Sequence, residues 1–505
     1  MRGWFLRPLA LLALLLPAAP AGAHVGSPNV FFDGSAGPYP VRVIVRPPLV
    51  IPGLAEITVK LGDVKAGEVT VQPIQWKAGT KGAPPPDVAI PVPGALGVWS
   101  AQLWLMIGSS YGVRVHVKGP AGVGEALVPV TAVPQQVLEM KQGLGIGLAA
   151  LGLFLFAGAV TLVVSSVRES ALPPGEVPDE RRRTRARMAG VVATVLFTLA
   201  LWGGKSWWDG VYAEARENLY KPFHVTAAAK LEAGKPVLTL AIDDERSRDW
   251  SPLMPDHGKQ MHLFLLREPG LDAFAHLHPV QQPDRNRFTV SLPPLPAGTY
   301  RLYADVVHES GFPQTLVDKV TIPAASSSAQ TGTGPAPDPD DSWRVSEPLV
   351  PRTSPGPKVA MLDGGDTGGT LLWHQEPLQA NREATLRFEV RDGAGRPLPL
   401  EPYMGMLSHA VITRDDGQVF VHLHPMGTIS MAAQEAFVAK AGMAGMPAMA
   451  GMDHAAMPGM PAMSHGPSVL SFPYEFPRPG RYRLWVQVKS GGQVRTGVFD
   501  AEVGP

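Results

Sequence analysis

MHLFLLREPGLDAFAHLHP (residues 261–279) and SHAVITRDDGQVFVHLHP (residues 408–425) repeat one plan at two places in a single chain. Each is a histidine, an apolar strand, a turn, a second strand and His-Leu-His-Pro. Each is followed by a Gly-x-Tyr-Arg-Leu strand, LPAGTYRLYADVV (295–307) in the first and PRPGRYRLWVQVK (477–489) in the second. Short β-rich runs broken by Gly and Pro point to β-sandwiches, and shared elements in shared order point to a duplication. The expectation is two related sandwiches, residues 222–322 and 345–505, joined by the polar linker 323–343.

Along a strand, residues two apart point to one face. His276 and His278 therefore stand side by side, as do His422 and His424. In the second repeat Asp416-Gly417 is a type I′ turn signal. That register sets Asp415 against Gln418 and His409 against His424, and directly opposed residues share a face. Three histidines then converge in the second copy, His409, His422 and His424; the longer turn of the first leaves its register open, but His262 holds the corresponding place opposite His276 and His278. Met261, Met404 and Met406 lie close enough in sequence to add soft ligands. The bland alternative is a solvated, polar hairpin face. A three-histidine arrangement that occurs twice favours a metal ion in each repeat. Asp256, His257 and His308 fall outside the repeated set and stay open, whereas His224 and His374 precede the opening strands and are given no role.

The second repeat carries an insertion absent from the first. GMAGMPAMAGMDHAAMPGMPAMSHG (residues 442–466) holds Met443, Met446, Met449, Met452, Met457, Met460 and Met463 with His454 and His465. Recurrent Gly and Pro deny it helical or strand periodicity, so it reads as a loop. Exposed thioethers with imidazole suit monovalent copper or silver.

The 505 residues balance 44 basic against 44 acidic side chains and include no cysteine. Balanced charge implies no polyanionic partner such as nucleic acid, and the missing cysteine removes disulfides and thiolate sites alike. Residues 1–23 read as a signal peptide cut after Ala23; an uncleaved third helix would instead reverse the orientation of the first domain. Residues 24–135 form a further β-sandwich. Residues 143–167 and 188–208 are two transmembrane helices. The basic loop 168–187 between them carries RRRTRAR (181–187), which the positive-inside rule puts in the cytoplasm. All fourteen histidines then lie outside it, on the extracytoplasmic side of the cytoplasmic membrane.

PDHGKQMHLFLLREPGLDAFAHLHP together with LPAGTYRLYADVVHESGF resembles the exported YtkA-like and related immunoglobulin- or cupredoxin-like domains of bacteria. The resemblance spans residues 236–322 and, less closely, 382–503. GMDHAAMPGMPAMSHG is similar to the Met-rich segments of periplasmic copper-resistance proteins. These resemblances imply β-sandwiches and copper, carried onto His262, His276, His278 and the loop methionines. Cleavage after Ala23 would also expose an α-amine and imidazole at His24, similar to the amino-terminal copper site of CopC-like proteins, with His116 the other histidine of that domain. The chain departs from multicopper oxidases in lacking cysteine.

Three mainly-β sandwiches and two transmembrane helices are thus expected in a membrane-anchored copper-binding protein. It would use Cu(I) at the loop, Cu(I) or Cu(II) at the histidines, and a membrane metal transporter or oxidase as possible recipient. No acid, base or nucleophile constellation suggests an enzyme. The competing reading is a β-domain assembly factor for a membrane enzyme, without metal function.

Overall fold

The computed structural model describes residues 24–25, 29–62, 64, 66–173, 175–232, 235–243, 252–324, 338–349, 358–362, 369–441 and 468–505, with His24 and Val25 described by their backbone alone. The signal-peptide reading and the Met-rich loop, with Met443, Met446, Met449, Met452, His454, Met457, Met460, Met463 and His465, lie outside the described residues.

The chain divides into two units. The smaller, Leu49–Ile51 with Val133–Lys221, contains the helices Gln142–Glu169 and Glu180–Glu217. Both are long and apolar enough to cross a membrane. Gly190 of the second helix lies against Val164 of the first, so closely that a β-carbon there would fall 2.8 Å from the valine methyl. Ala186 and Ala193 are buried on the same helix, small residues that let helices approach. The second helix begins earlier than its apolar run suggests. Asp179 caps it by accepting from the Arg182 amide at 2.8 Å, so Arg181–Arg187 form its first turns instead of a loop.

The larger unit contains three β-sandwiches. Alternation fixes the first, where Tyr39–Arg46 and Ser109–Gly119 turn their buried valines inward from two facing sheets. In the first repeat, His262–Arg267 pairs with Ala273–Leu277 and with Gly298–His308. In the second, Ser408–Arg414 pairs with Val419–Leu423 and Gly480–Ser490. The hairpin register is the expected one, with Thr413 opposite Phe420 and Ala410 opposite Leu423. The turn itself differs: the Gly417 amide reaches the Arg414 carbonyl at 2.8 Å, and only Gly417 has positive φ. A type I′ turn at Asp416-Gly417 would need both residues there.

Each central sheet is apolar on both faces. Leu263, Leu265, Ala275 and Leu277 enter the core of the first repeat, and Ala410, Ile412, Val421 and Leu423 that of the second. The opposite faces do not meet solvent. Phe264, Leu266, Phe274 and Tyr303 pack against Val411, Phe420 and Trp485 in one cluster, so the two repeats bury these faces against each other.

That contact has pseudo-twofold character. Tyr303 of the first repeat stacks on Phe420 of the second, centroids 3.9 Å apart, and Trp485 of the second stacks on Phe274 of the first at 5.0 Å. Tyr303 and Trp485 hold the same position of the Gly-x-Tyr-Arg-Leu strand, and Phe274 and Phe420 the same position before His-Leu-His. A duplicated surface packing on its own copy must make each contact twice, as in an isologous dimer.

Three details depart from the sequence-based expectation. Ser342–Val345 is an edge strand of the first repeat's sheet, pairing with Ala273–His276, so the end of the supposed linker belongs to that sandwich. Met431–Lys440 is an α-helix outside the membrane pair, capped by Ser430, whose hydroxyl accepts from the Ala433 amide. Its Phe437 packs edge-on against Trp76 of the first sandwich, centroids 5.1 Å apart. Finally, His24–Val25 adds in parallel to Val419–Phe420 at the edge of the second repeat's sheet.

Candidate metal centre

The histidines of the two hairpins occupy the sealed faces between the repeats. His262, His276, His278, His409 and His424 are at most 5% exposed, and the His422 and His257 side chains are 6% and 1% exposed. A solvated polar face is therefore excluded. The expectation of separate sites on separate hairpins also changes, because the two sets adjoin: His262 and His422 have ring centroids 5.5 Å apart, and His276 and His422 5.6 Å.

Within each repeat the trio is compact and nearly superimposable on its copy. Centroid separations are 5.3 Å for His262–His276, 4.8 Å for His276–His278 and 5.2 Å for His262–His278. The corresponding values are 5.3 Å for His409–His422, 4.6 Å for His422–His424 and 5.0 Å for His409–His424. His257 of the first repeat joins the second trio, 5.1 Å from His409 and 4.9 Å from His424. Ligating atoms of His262, His276 and His278 all lie within 4.8 Å of one another, as do those of His257, His409 and His424.

The outer nitrogens decide what the inner ones can do. His262 Nε2 faces the Asp256 carbonyl at 3.1 Å, and His409 Nε2 faces the Tyr403 carbonyl at 3.1 Å. His424 Nδ1 faces the Ile429 carbonyl at 3.0 Å, and His278 Nδ1 the Asp341 carboxylate at 3.0 Å. The His257 ring bonds to the Met404 backbone. His276 Nδ1 faces Gln487 Oε1 at 3.0 Å, the amide group of Gln487 being committed to Ser342 Oγ. His422 Nδ1 lies 3.5 Å from Asp305. A carbonyl or carboxylate oxygen can only accept, so the nitrogens of His257, His262, His276, His278, His409 and His424 that face one carry the proton, whereas Asp305, pushed up to about 7, does not fix the tautomer of His422. In the neutral rings of His257, His262, His276, His409 and His424 the other nitrogen is then a bare lone pair.

Those lone pairs converge. His262 Nδ1 and His276 Nε2 are 3.1 Å apart, as are His409 Nδ1 and His422 Nε2. Nε2 of His257, His278 and His424 is buried with no hydrogen-bond partner. Two acceptors face to face, and three more left unsatisfied, are a penalty in a dry interior. A cation removes it. Two imidazole nitrogens each about 2.0 Å from a tetrahedral ion sit roughly 3.3 Å apart, close to the spacing here. Protonated outer nitrogens held by carbonyls and carboxylates are also the usual second shell of metal-bound histidine.

Electrostatics keep the rings in the ligating form. Burial, reinforced by neighbouring histidines, holds His262, His276, His409 and His422 well below the ordinary imidazole range. Burial also brings His257 and His424 down to about 4. The carboxyls around them move oppositely: burial raises Asp256, and pushes Asp305 up to about 7.

The structure separates the methionine expectations. Met261 is fully buried among the apolar residues of the first repeat's own core. Met404 and Met406 are 8% and 6% exposed in the turn before His409, where Tyr403 and Met406 exchange backbone bonds. His116 lies in Ser109–Gly119 opposite Thr70 and Glu125, whereas the His24 backbone pairs with Val419 in another sheet. Among the described residues no cluster of three ligating groups includes His116. His257 belongs to no repeated histidine set, which concealed it. Asp338 and Asp341, which group with His278, sat in the segment read as linker.

Residues 220–322 and 365–504 match a domain of unknown function (DUF8832). No match is found among curated proteins. Among solved structures, the chain is similar over 95% of its length to 24% of trypsin-activated alpha-2-macroglobulin from Escherichia coli, with 10% identity and a TM-score of 0.16. It is similar over 95% to 34% of dimeric latent PorU from Porphyromonas gingivalis, with 8% identity and a TM-score of 0.15. A tetra-tandem repeat from the extending region of a large adhesion protein matches at 8% identity, covering 90% of this chain and 96% of that one, with a TM-score of 0.15.

Proposed function

We propose that this is a membrane-anchored copper-binding protein whose two β-repeats close on each other to form a buried imidazole cage, exposed to the extracytoplasmic side. One observation carries the reading: six of the seven rings turn a protonated nitrogen to an acceptor, His262 and His276 meet lone pair to lone pair, and the inner Nε2 of His257, His278 and His424 has no partner in the interface. Uncharged imidazoles suit copper and zinc. Copper is favoured over zinc by the Met-rich insertion, whose thioethers suit monovalent copper. Burial on this scale suits capture, buffering or delivery better than turnover, because a substrate would have to part the repeats. The assembly-factor reading leaves the bare nitrogens unexplained.

The test is metal content of the full-length protein in detergent, stripped with a chelator and reloaded with copper or zinc. The double variant His276→Gln/His409→Gln should lose most of the bound copper. A variant with unchanged stoichiometry and affinity would remove the cage from consideration.

A further inference from the structure

The two trios are copies, but what stands beside them is not. PDHGKQMH (255–262) and PYMGMLSH (402–409) are the same turn in the two repeats, so His257 corresponds to Met404. The backbone agrees. His257 and Met404 have φ of 52° and 50°, and the glycines that follow have φ of 80° and 79°. Asp256 and Lys259 exchange backbone bonds across one turn, as do Tyr403 and Met406 across the other. The carbonyls of Asp256 and Tyr403 then receive His262 and His409 in the same way. A left-handed conformation costs a non-glycine residue energy. Asn or Gly would fill such a position more cheaply, which suggests that the side chains held there matter.

His257 crosses from its own repeat to complete the other repeat's trio. The pseudo-twofold relation that pairs Tyr303 with Phe420 and Trp485 with Phe274 sends Met404 the opposite way, toward His262, His276 and His278. Two contacts support that direction. Tyr403, next in the chain, brings its hydroxyl to 3.3 Å from His276 Nδ1, and the Met404 backbone receives the His257 ring.

Resting on the cage reading above, we propose that the interface holds two unlike metal sites, each completed by one ligand from the opposite repeat. The first is His262, His276 and His278 with the Met404 thioether; the second is His409, His422 and His424 with His257. A thioether selects soft ions, whereas four imidazoles accept zinc and divalent copper as well. The first site therefore takes monovalent copper or silver in preference, and the second discriminates less.

The experiment is NMR of the full-length protein in detergent, labelled at the methionine methyls and histidine ring nitrogens. The methyl resonance absent from Met404→Leu identifies Met404. It should move with the first equivalents of silver and stay still with zinc, while histidine resonances respond to both. Met404→Leu should weaken silver binding at this site by at least the roughly tenfold that loss of an outer partner costs. Met404→His, which places imidazole where His257 already shows it fits, should abolish the preference for silver over zinc. If histidine resonances follow silver but the Met404 methyl does not, the unlike-site proposal is wrong and the cage stands. If no histidine resonance responds to silver, zinc or copper, the cage itself is wrong.

Discussion

Acid should open the metal-free cage, and the slope of that opening can be worked out from the buried rings. Six histidines, 257, 262, 276, 409, 422 and 424, have native pKa values depressed below 6.5. Below pH 6.5 each binds a proton once the repeats part but not while they are closed. A group of this kind leaves stability intact above the unfolded pKa and withdraws it as pH falls toward the native value. Asp256 and Asp305 act the other way. Their native pKa values are raised, so above about pH 4 the closed state holds protons that the open state releases. Six groups opposed by two leave a net uptake of protons on opening as pH falls below 6.5. Each proton of that uptake costs the closed form about 1.4 kcal/mol per pH unit. Since a domain's net stability is about 5–15 kcal/mol, a net uptake of a few protons is enough to open the metal-free cage in acid. Urea titrations of the chelator-stripped, detergent-solubilised protein from pH 7.5 to 4.5 measure the slope. His409→Gln should reduce it by about one proton. Bound copper should shift the transition to lower pH, because metal and proton compete for the same lone pair. A midpoint that stays flat from pH 7 to 5 would show that these rings are not held neutral.

Phe420→Ala removes the Tyr303 stack from the sealed interface and should cost about 3–5 kcal/mol, read as a lowered urea midpoint, together with weaker copper binding. Asp341→Asn should lower copper affinity roughly 10–100-fold in a competition titration by withdrawing the carboxylate behind His278. Deleting residues 442–466 should lower the silver stoichiometry by the ions the loop thioethers hold, at about pH 5 as at about pH 7 because thioethers do not titrate, with the melting temperature nearly unchanged. Reporter fusions at residue 175 and at the C-terminus should report opposite sides of the membrane.

Much of the fold was legible because the two hairpins share an unusual, ordered signature and because period-2 patterning is explicit in strands such as VRVIV. Register followed from one Asp-Gly turn. The helix Met431–Lys440 was hidden by its position after a β-hairpin and before a low-complexity insertion. Its signal was present all the same: Ser430 is a good cap, and MAAQEAFVAK is rich in strong helix formers. The edge strand Ser342–Val345 was lost because polar linkers and edge strands look alike in sequence. Only pairing with Ala273–His276 distinguishes them.

The site was half legible. Four of its histidines followed from strand alternation, His409 from the hairpin register and His262 from its place in the repeat, and these say which residues share a face but not whether that face meets water. The missing clue lay between the histidines. Phe264, Phe274, Phe420 and Trp485 occupy the same faces, and a solvated hairpin has no reason to carry four large aromatics beside its polar residues. A face both aromatic and imidazole-bearing, present twice in one chain, has a physical solution in packing on its own copy. The aromatics are then buried, and the histidines are carried into the interior with them. Desolvation disfavours the charged form of six of these rings and leaves lone pairs that a cation can satisfy. On the proposed reading, metal affinity and the adhesion of the two repeats are one free energy, and a substitution that loosens the aromatic seam should weaken copper without touching a ligand.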